Sequence, residues 1–171
     1  PGGNITYVPW GFGVDGDFFP LVGDFDGDGK NDFCIQRANP ASPTNGQFVL
    51  LKSAGGIEYI NWGLSSDFLI PGDYDGDGKA DFCVRRTVSG ARQHWTLTRT
   101  GATSFAVWGI TGDTSAPGDY DGDGKTDLAI WRANADPNQN YFWVSNSSNG
   151  SVSQFEWGLQ GDLAVAGWAV H

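Results

Sequence analysis

Asp24–Asp32 reads DFDGDGKND, Asp73–Asp81 reads DYDGDGKAD and Asp119–Asp127 reads DYDGDGKTD. Each stretch sets four carboxylates into nine residues, at positions one, three, five and nine. Charges crowded in this way repel one another, and a hard, oxygen-seeking cation relieves the repulsion. Glycines at positions four and six let the backbone turn tightly around such an ion. The candidate Ca²⁺ ligands are therefore Asp24, Asp26, Asp28, Lys30 and Asp32; Asp73, Asp75, Asp77, Lys79 and Asp81; and Asp119, Asp121, Asp123, Lys125 and Asp127. The three lysines would offer their backbone carbonyl oxygen, not their ammonium, and three Ca²⁺ sites are expected.

An EF-hand loop shares positions one, three, five, seven and nine but needs a bidentate Glu at position twelve and a helix on either side. Position twelve is Ile35, Val84 and Ile130, and the following segments DFCIQR, DFCVRR and DLAIWR read as strands. The EF-hand reading fails on both counts. A single Asp-Gly string is also a common turn former; three in the same register favour the cation.

The chain has 171 residues, 39% of them apolar and 14% aromatic, which suits one folded domain with a sizeable core. Twenty-six glycines, eight prolines and no long helical periodicity favour short strands joined by tight turns. No apolar run has the length of a membrane span, and PGGNITYV has neither the basic nor the apolar region of a signal peptide. Either a signal has been removed or the sequence is a piece of a longer chain.

A formal charge of −10 without clustered Lys and Arg argues against nucleic acid as a partner. Twelve of the twenty acidic residues lie in the three loops, so three divalent cations would offset six of the ten net negative charges. Cys34 and Cys83 occupy one slot, two residues past a loop, where the third copy has Ala129. Equivalent positions of successive repeats should stand too far apart for a disulfide, so buried free thiols are expected.

Trp-Gly recurs at Trp10-Gly11, Trp62-Gly63, Trp108-Gly109 and Trp157-Gly158, a period near 49 residues that marks repeated supersecondary units. One unit divides into four short strands: FLIPGDY before the loop, DFCVRRT after it, then RQHWTLT and SFAVW. Phe48, Trp95 and Trp143 occupy matching places in the third strand. Strands leaving the loops are apolar on both sides, as Phe33 and Ile35 against Cys34, so both sheet faces should be covered. Units are expected at about 11–62, 63–108 and 109–157, with terminal strands at 4–10 and 158–171.

DxDGDGxxD loops inside the pattern WGxxxD…PGDYDGDGK.D…WR resemble FG-GAP or VCBS-type repeats, the calcium-binding blades related to integrin α-subunit propellers. The resemblance implies an all-β, β-propeller-like array of four-stranded antiparallel units, three complete repeats plus terminal strands, in which the loop joins the first two strands of each blade and binds Ca²⁺. Two departures stand out. The first unit has three extra residues between Trp10 and Asp24, and the fourth reaches Trp168 where its first metal Asp should be. Three blades are fewer than a closed ring uses. The terminal strands pair into a short fourth sheet, chains associate, or neighbouring repeats of a longer chain complete the propeller.

A catalytic constellation is not visible. His94 reads as a surface or strand-edge histidine because no other unit repeats it, and His171 is terminal. Arg37, Arg86 and Arg132 recur five residues past each loop and read as structural partners of carboxylates or carbonyls. Asp67, Asp113 and Asp162, with Asp15 or Asp17 in the first unit, read as turn caps. Trp62, Trp108 and Trp157 read as packing; unrepeated Tyr141 and Trp168 are better placed for a sugar-stacking surface. The expected function is a non-catalytic, calcium-stabilised binding or adhesion module, secreted or at the cell surface, with an extracellular protein or glycan ligand. The alternatives are a calcium-dependent lectin-like domain and an accessory module of a secreted polysaccharide-degrading enzyme.

Overall fold

The computed structural model describes residues 17–134, 139–159, 161, 162 and 164, with side chains from residue 21 onward. Trp10, Asp15, Trp168, His171, the strand expected at 4–10 and most of that expected at 158–171 lie outside the described residues. The described residues form twelve strands and no helix. The first sheet comprises β1 (Asp17–Gly23), β2 (Asp32–Asn39), β3 (Ser42–Leu51) and β4 (Ile57–Leu64). The second comprises β5 (Phe68–Leu69), β6 (Phe82–Val88), β7 (Ala91–Leu97) and β8 (Thr103–Ile110), and the third β9 (Thr114–Ser115), β10 (Leu128–Arg132), β11 (Tyr141–Ser145) and β12 (Val152–Glu156). Each is an antiparallel meander in chain order, and none closes into a barrel. The array is that of an incomplete propeller, and each acidic loop joins the first two strands of its sheet.

β5 and β9 stop short where the carbonyls of Ile70 and Ala116 accept the hydroxyls of Tyr74 (2.9 Å) and Tyr120 (2.8 Å), bonds that Phe25 of the first loop cannot make. Pairing resumes at Gly72 and Gly118 as the isolated bridges Gly72↔Asp81 and Gly118↔Asp127.

The main core lies between the first two sheets, where Phe25, Cys34, Phe48, Leu50, Leu69, Ala80, Phe82 and Val84 are buried together. Phe82 stacks on Phe25 at 5.2 Å and on Phe48 at 5.4 Å, and aromatic pairs of this kind add about 1 kcal/mol each beyond the area they bury. Phe33, the counterpart of Phe82, is 45% exposed, so the expectation that both faces of every loop-leaving strand are covered fails in the first sheet. Phe82 faces the first sheet; Phe33 looks the opposite way, where no sheet stands among the described residues. Cys34 and Cys83 are free and buried, as expected, and burial pushes the thiol of Cys83 up to about 12 and that of Cys34 higher still, which makes both inert.

The third-strand slot is corrected by one residue. Across the sheets Phe48 pairs with Gln36, His94 with Arg85 and Phe142 with Trp131, so these three are equivalent, not Phe48, Trp95 and Trp143. A shift of one residue reverses the face: Phe48 packs toward the next sheet, whereas the indoles of Trp95 and Trp143 belong to the opposite face of theirs. The Trp-Gly tryptophans bind across the joints, the indole N–H of Trp62 donating to the Trp95 carbonyl at 3.2 Å and that of Trp108 to the Trp143 carbonyl at 3.3 Å. Trp157, the third of the set, is 75% exposed.

Candidate metal centre

Each loop closes on its own carboxylates before any ion is considered. Asp24 Oδ1 accepts the N–H groups of Gly27 (2.6 Å) and Asp28 (3.2 Å), and Oδ2 accepts that of Gly29 (2.7 Å). Asp73 repeats the pattern with Gly76, Asp77 and Gly78, and Asp119 with Gly122 and Gly124. This wrap needs positive φ at both glycines, 82° and 80° in the first loop, and a side chain at Gly27 would meet Lys79 Cε at 2.8 Å.

The ninth residue locks the loop to the sheet. Asp32, Asp81 and Asp127 are fully buried, each accepting a backbone N–H from loop position two (Phe25, Tyr74, Tyr120; 2.9–3.0 Å) on one oxygen. The other oxygen accepts a backbone N–H from the turn between the third and fourth strands: Ser53 at 2.7 Å, Arg99 at 2.8 Å and Ser147 at 2.7 Å. Side chains from the same turns reach further in, Ser53 Oγ to Asp28, Thr100 Oγ1 to Asp75, and Ser147 and Ser148 to Asp123 and Asp121. These turn residues were not singled out from the sequence. Their only signal is a polar turn 18 to 21 residues past the ninth residue of each loop.

In every loop the carboxylates at positions one, three and nine converge: ligand oxygens of Asp24, Asp26 and Asp32 lie within 4.8 Å of one another, as do those of Asp73, Asp75 and Asp81 and of Asp119, Asp121 and Asp127. Position five stands apart from these groups. Asp28, Asp77 and Asp123 each accept the N–H of position seven, at 2.8–2.9 Å. The donor set suits a hard cation, because a carboxylate oxygen holding one N–H keeps lone-pair capacity for a metal. Among the described residues, no Lys or Arg is ion-paired with a carboxylate of the three groups. Burial, with the charges of Asp75 and Asp77, raises Asp81 to about 6 against the N–H bonds from Arg99 and Tyr74, the strain a bound cation would remove. The hydroxyl of Ser53 chiefly lowers Asp28.

Successive loops are clasped together. The N–H of Ala80 donates to the Asp24 carbonyl at 2.7 Å, and that of Thr126 to the Asp73 carbonyl at 2.6 Å. The alkyl chains of Lys79 and Lys125 lie over Gly27 and Gly76 of the preceding loop. Asp119 is exposed where Asp24 and Asp73 are buried, so the third loop is the most open.

The repeated arginines and turn aspartates, separate features in the sequence, are one device. Arg86 holds Asp67 with two hydrogen bonds of 2.8 and 2.6 Å, and Arg132 holds Asp113 with two of 2.7 Å. The same aspartates cap the turns, accepting the N–H of Leu64 and Ile110, as Asp162 does that of Leu159. His94 is neither at the surface nor on an edge strand: it is 2% exposed in the middle of its sheet, because it fills the slot of Phe48 and Phe142. Burial and the guanidiniums of Arg85 and Arg92 push it down to about 4, leaving a neutral imidazole with no opening to a substrate. Tyr141 is partly buried beside Trp143.

Residues 73–130 match the FG-GAP-like repeat model and residues 111–153 the FG-GAP repeat model. The first loop lies outside both matches and joins the set through its geometry. A search of curated proteins found no match.

Proposed function

From a chain that carries repeats of the FG-GAP family, we propose a non-catalytic, calcium-stabilised extracellular module that acts in binding or adhesion. The observation that carries this reading is the threefold convergence of carboxylates one, three and nine in loops already shaped by backbone N–H bonds. Asp24, Asp26 and Asp32, and their counterparts, would hold the ion, with Asp28, Asp77 and Asp123 and the carbonyls of Lys30, Lys79 and Lys125 completing each set. The ion supplies positive charge that lets the carboxylates stay ionised in a partly buried loop. The protein's own residues do the rest: Ser53, Arg99 and Ser147 anchor the ninth carboxylate, and the clasped loops pass that order from sheet to sheet.

Without a bidentate Glu, affinities on the order of 10⁻⁴ to 10⁻³ M are expected, the range of extracellular modules. No helix among the described residues is long and apolar enough to cross a membrane. Thermal melting with excess Ca²⁺ and with EDTA tests the proposal: Ca²⁺ should raise Tm in a concentration-dependent way, and an identical Tm under both conditions would overturn it.

A further inference from the structure

The two ends of the array carry the two halves of one joint. Where two loops adjoin, the later one seats itself on the earlier in the same way each time. Its eighth residue gives an N–H to the first carbonyl, as Ala80 does to Asp24 and Thr126 to Asp73. The side chain of that residue covers the glycine just before the loop: a Cβ at Gly23 would meet Ala80 Cβ at 3.1 Å, and one at Gly72 would meet Thr126 Oγ1 at 2.6 Å. Its lysine lies over the glycine at position four, Lys79 over Gly27 and Lys125 over Gly76. The third loop has the same seats unfilled. What a Cβ at Gly118 would meet first is the ring of Tyr120 in its own loop, one at Gly122 would meet nothing within 4 Å, and the Asp119 carbonyl accepts no hydrogen bond among the described residues. The first loop has the matching parts unused: Asn31 is exposed with its N–H unpartnered among the described residues, and the Lys30 side chain is 73% exposed.

The apolar contacts behind the loops divide in the same way. At the first joint Phe82 enters a seat made by Phe25 and Phe48. At the second, Leu128 takes the place of Phe82, and Tyr74 and His94 those of Phe25 and Phe48. The third sheet restores the aromatic seat, with Tyr120 where Phe25 stands and Phe142 where Phe48 stands. Phe25 and Phe48 are fully buried, but Tyr120 is 43% exposed and Phe142 partly exposed. The residue that fits this seat is at the other end of the chain. Phe33 is the counterpart of Phe82, and it lies in one cross-strand row with Val22, Leu51 and Ile57, of which Val22, Phe33 and Ile57 are exposed. A phenylalanine on one end and an aromatic pair on the other reproduce the first joint more closely than the second joint does. Charge agrees, because Lys30 would come to rest on a loop whose Asp119 and Asp121 are exposed.

We propose that two copies of this chain join head to tail, the first sheet of each seated on the third sheet of the other, with Phe33 against Tyr120 and Phe142, the Asn31 N–H on the Asp119 carbonyl and Lys30 over Gly122. The two surfaces are unlike, so the contact is heterologous and needs closure to stop growing. Two copies supply six sheets, within the range of about four to eight found in closed propellers, and use both ends of each chain. A dissociation constant on the order of 10 µM is expected for so modest a contact. Below that concentration each chain is single, and its outer loops meet only through the middle one. Sedimentation of the wild-type chain in excess Ca²⁺, across that concentration, should show one step from the mass of one chain to that of two. F33Q and Y120Q should each weaken pairing about tenfold or more while keeping the wild-type circular-dichroism spectrum. The two variants damage opposite ends. An equal mixture should therefore form a mixed pair, the sound third sheet of F33Q taking the sound first sheet of Y120Q, at a concentration where neither pairs alone. The mass of one chain at every concentration, pairing unchanged in F33Q, or a mixture no heavier than its parts would each overturn the proposal.

Discussion

The joint between the first and second sheets and the joint between the second and third share one backbone frame and have unlike interiors. At the first, Gln36 spans the gap to the Leu64 and Asp67 carbonyls, and Phe48, Leu50 and Phe82 fill the space behind it. At the second, the same slots hold Arg85 and His94, with Arg92 alongside. Arg85 reaches Ser115 Oγ at 2.7 Å and lies over the Phe68 ring, while Arg92 donates to the carbonyls of Ile110 and Asp113. Burial, aided by Arg92, lowers Arg85 to about 10. The repeated residues build the frame, and the unrepeated ones decide whether a joint is filled mainly by apolar side chains or by charged and polar ones.

The contrast can be broken most forcefully at its apolar side. F82A removes the ring between Phe25 and Phe48 and should cost about 4 kcal/mol in urea unfolding of the Ca²⁺-saturated protein. The polar side should instead reveal itself through pH. With a folded-state value of about 4 against about 6.5 when unfolded, neutral His94 contributes stability that is complete above pH 6.5 and lost as pH falls toward 4. The full effect is on the order of 3 kcal/mol, from a group facing Arg85 on β6 and Arg92 on its own strand. H94F, which restores the residue type of Phe48 and Phe142, should flatten the wild-type difference between pH 7.5 and pH 5; an unchanged slope would place the titration elsewhere.

A smaller effect should be the same at both joints. Asp67→Asn and Asp113→Asn each disturb a turn cap and an arginine partner, and because the arginines are partly exposed the expected cost is about 2 kcal/mol apiece. Unequal losses in matched urea melts would show that the frame is less alike than its geometry. Least of all, S147A removes the Oγ donor to Asp123 but keeps the main-chain bond to Asp127, so less than about 1 kcal/mol is expected in the same assay.

Local chemistry was legible in the sequence, and long-range register was not. The loops, the four-strand units and the free thiols of Cys34 and Cys83 follow from spacing, because glycine turns and alternating carboxylates act within nine residues. Phe48 was matched to Trp95 and Trp143 because those are the large aromatics near the expected place. The strand pairing shows otherwise: Leu51↔Ile57 and Leu97↔Thr103 each enclose five residues, but Ser145↔Val152 encloses six, so counting back from Trp-Gly slips by one. The slip does not touch His94, which lies 14 residues before Trp108 as Phe48 lies 14 before Trp62; there the large aromatic Trp95 beside it masks the match. The union of Arg86 with Asp67, and of Ser53 or Ser147 with a metal loop, joins residues about twenty apart whose meeting depends on sheet twist and turn shape.

The clasp between loops gives the array a direction. Each loop is held at its first carbonyl by the eighth residue of the next, Ala80 on Asp24 and Thr126 on Asp73, and no such bond joins the first loop to the third among the described residues. Influence between the outer two must therefore pass through the middle one, as in a one-dimensional lattice with nearest-neighbour coupling. In a binding isotherm, filling the central site should steepen both flanking transitions. Disabling that site with Asp75→Asn should leave two uncoupled hyperbolas.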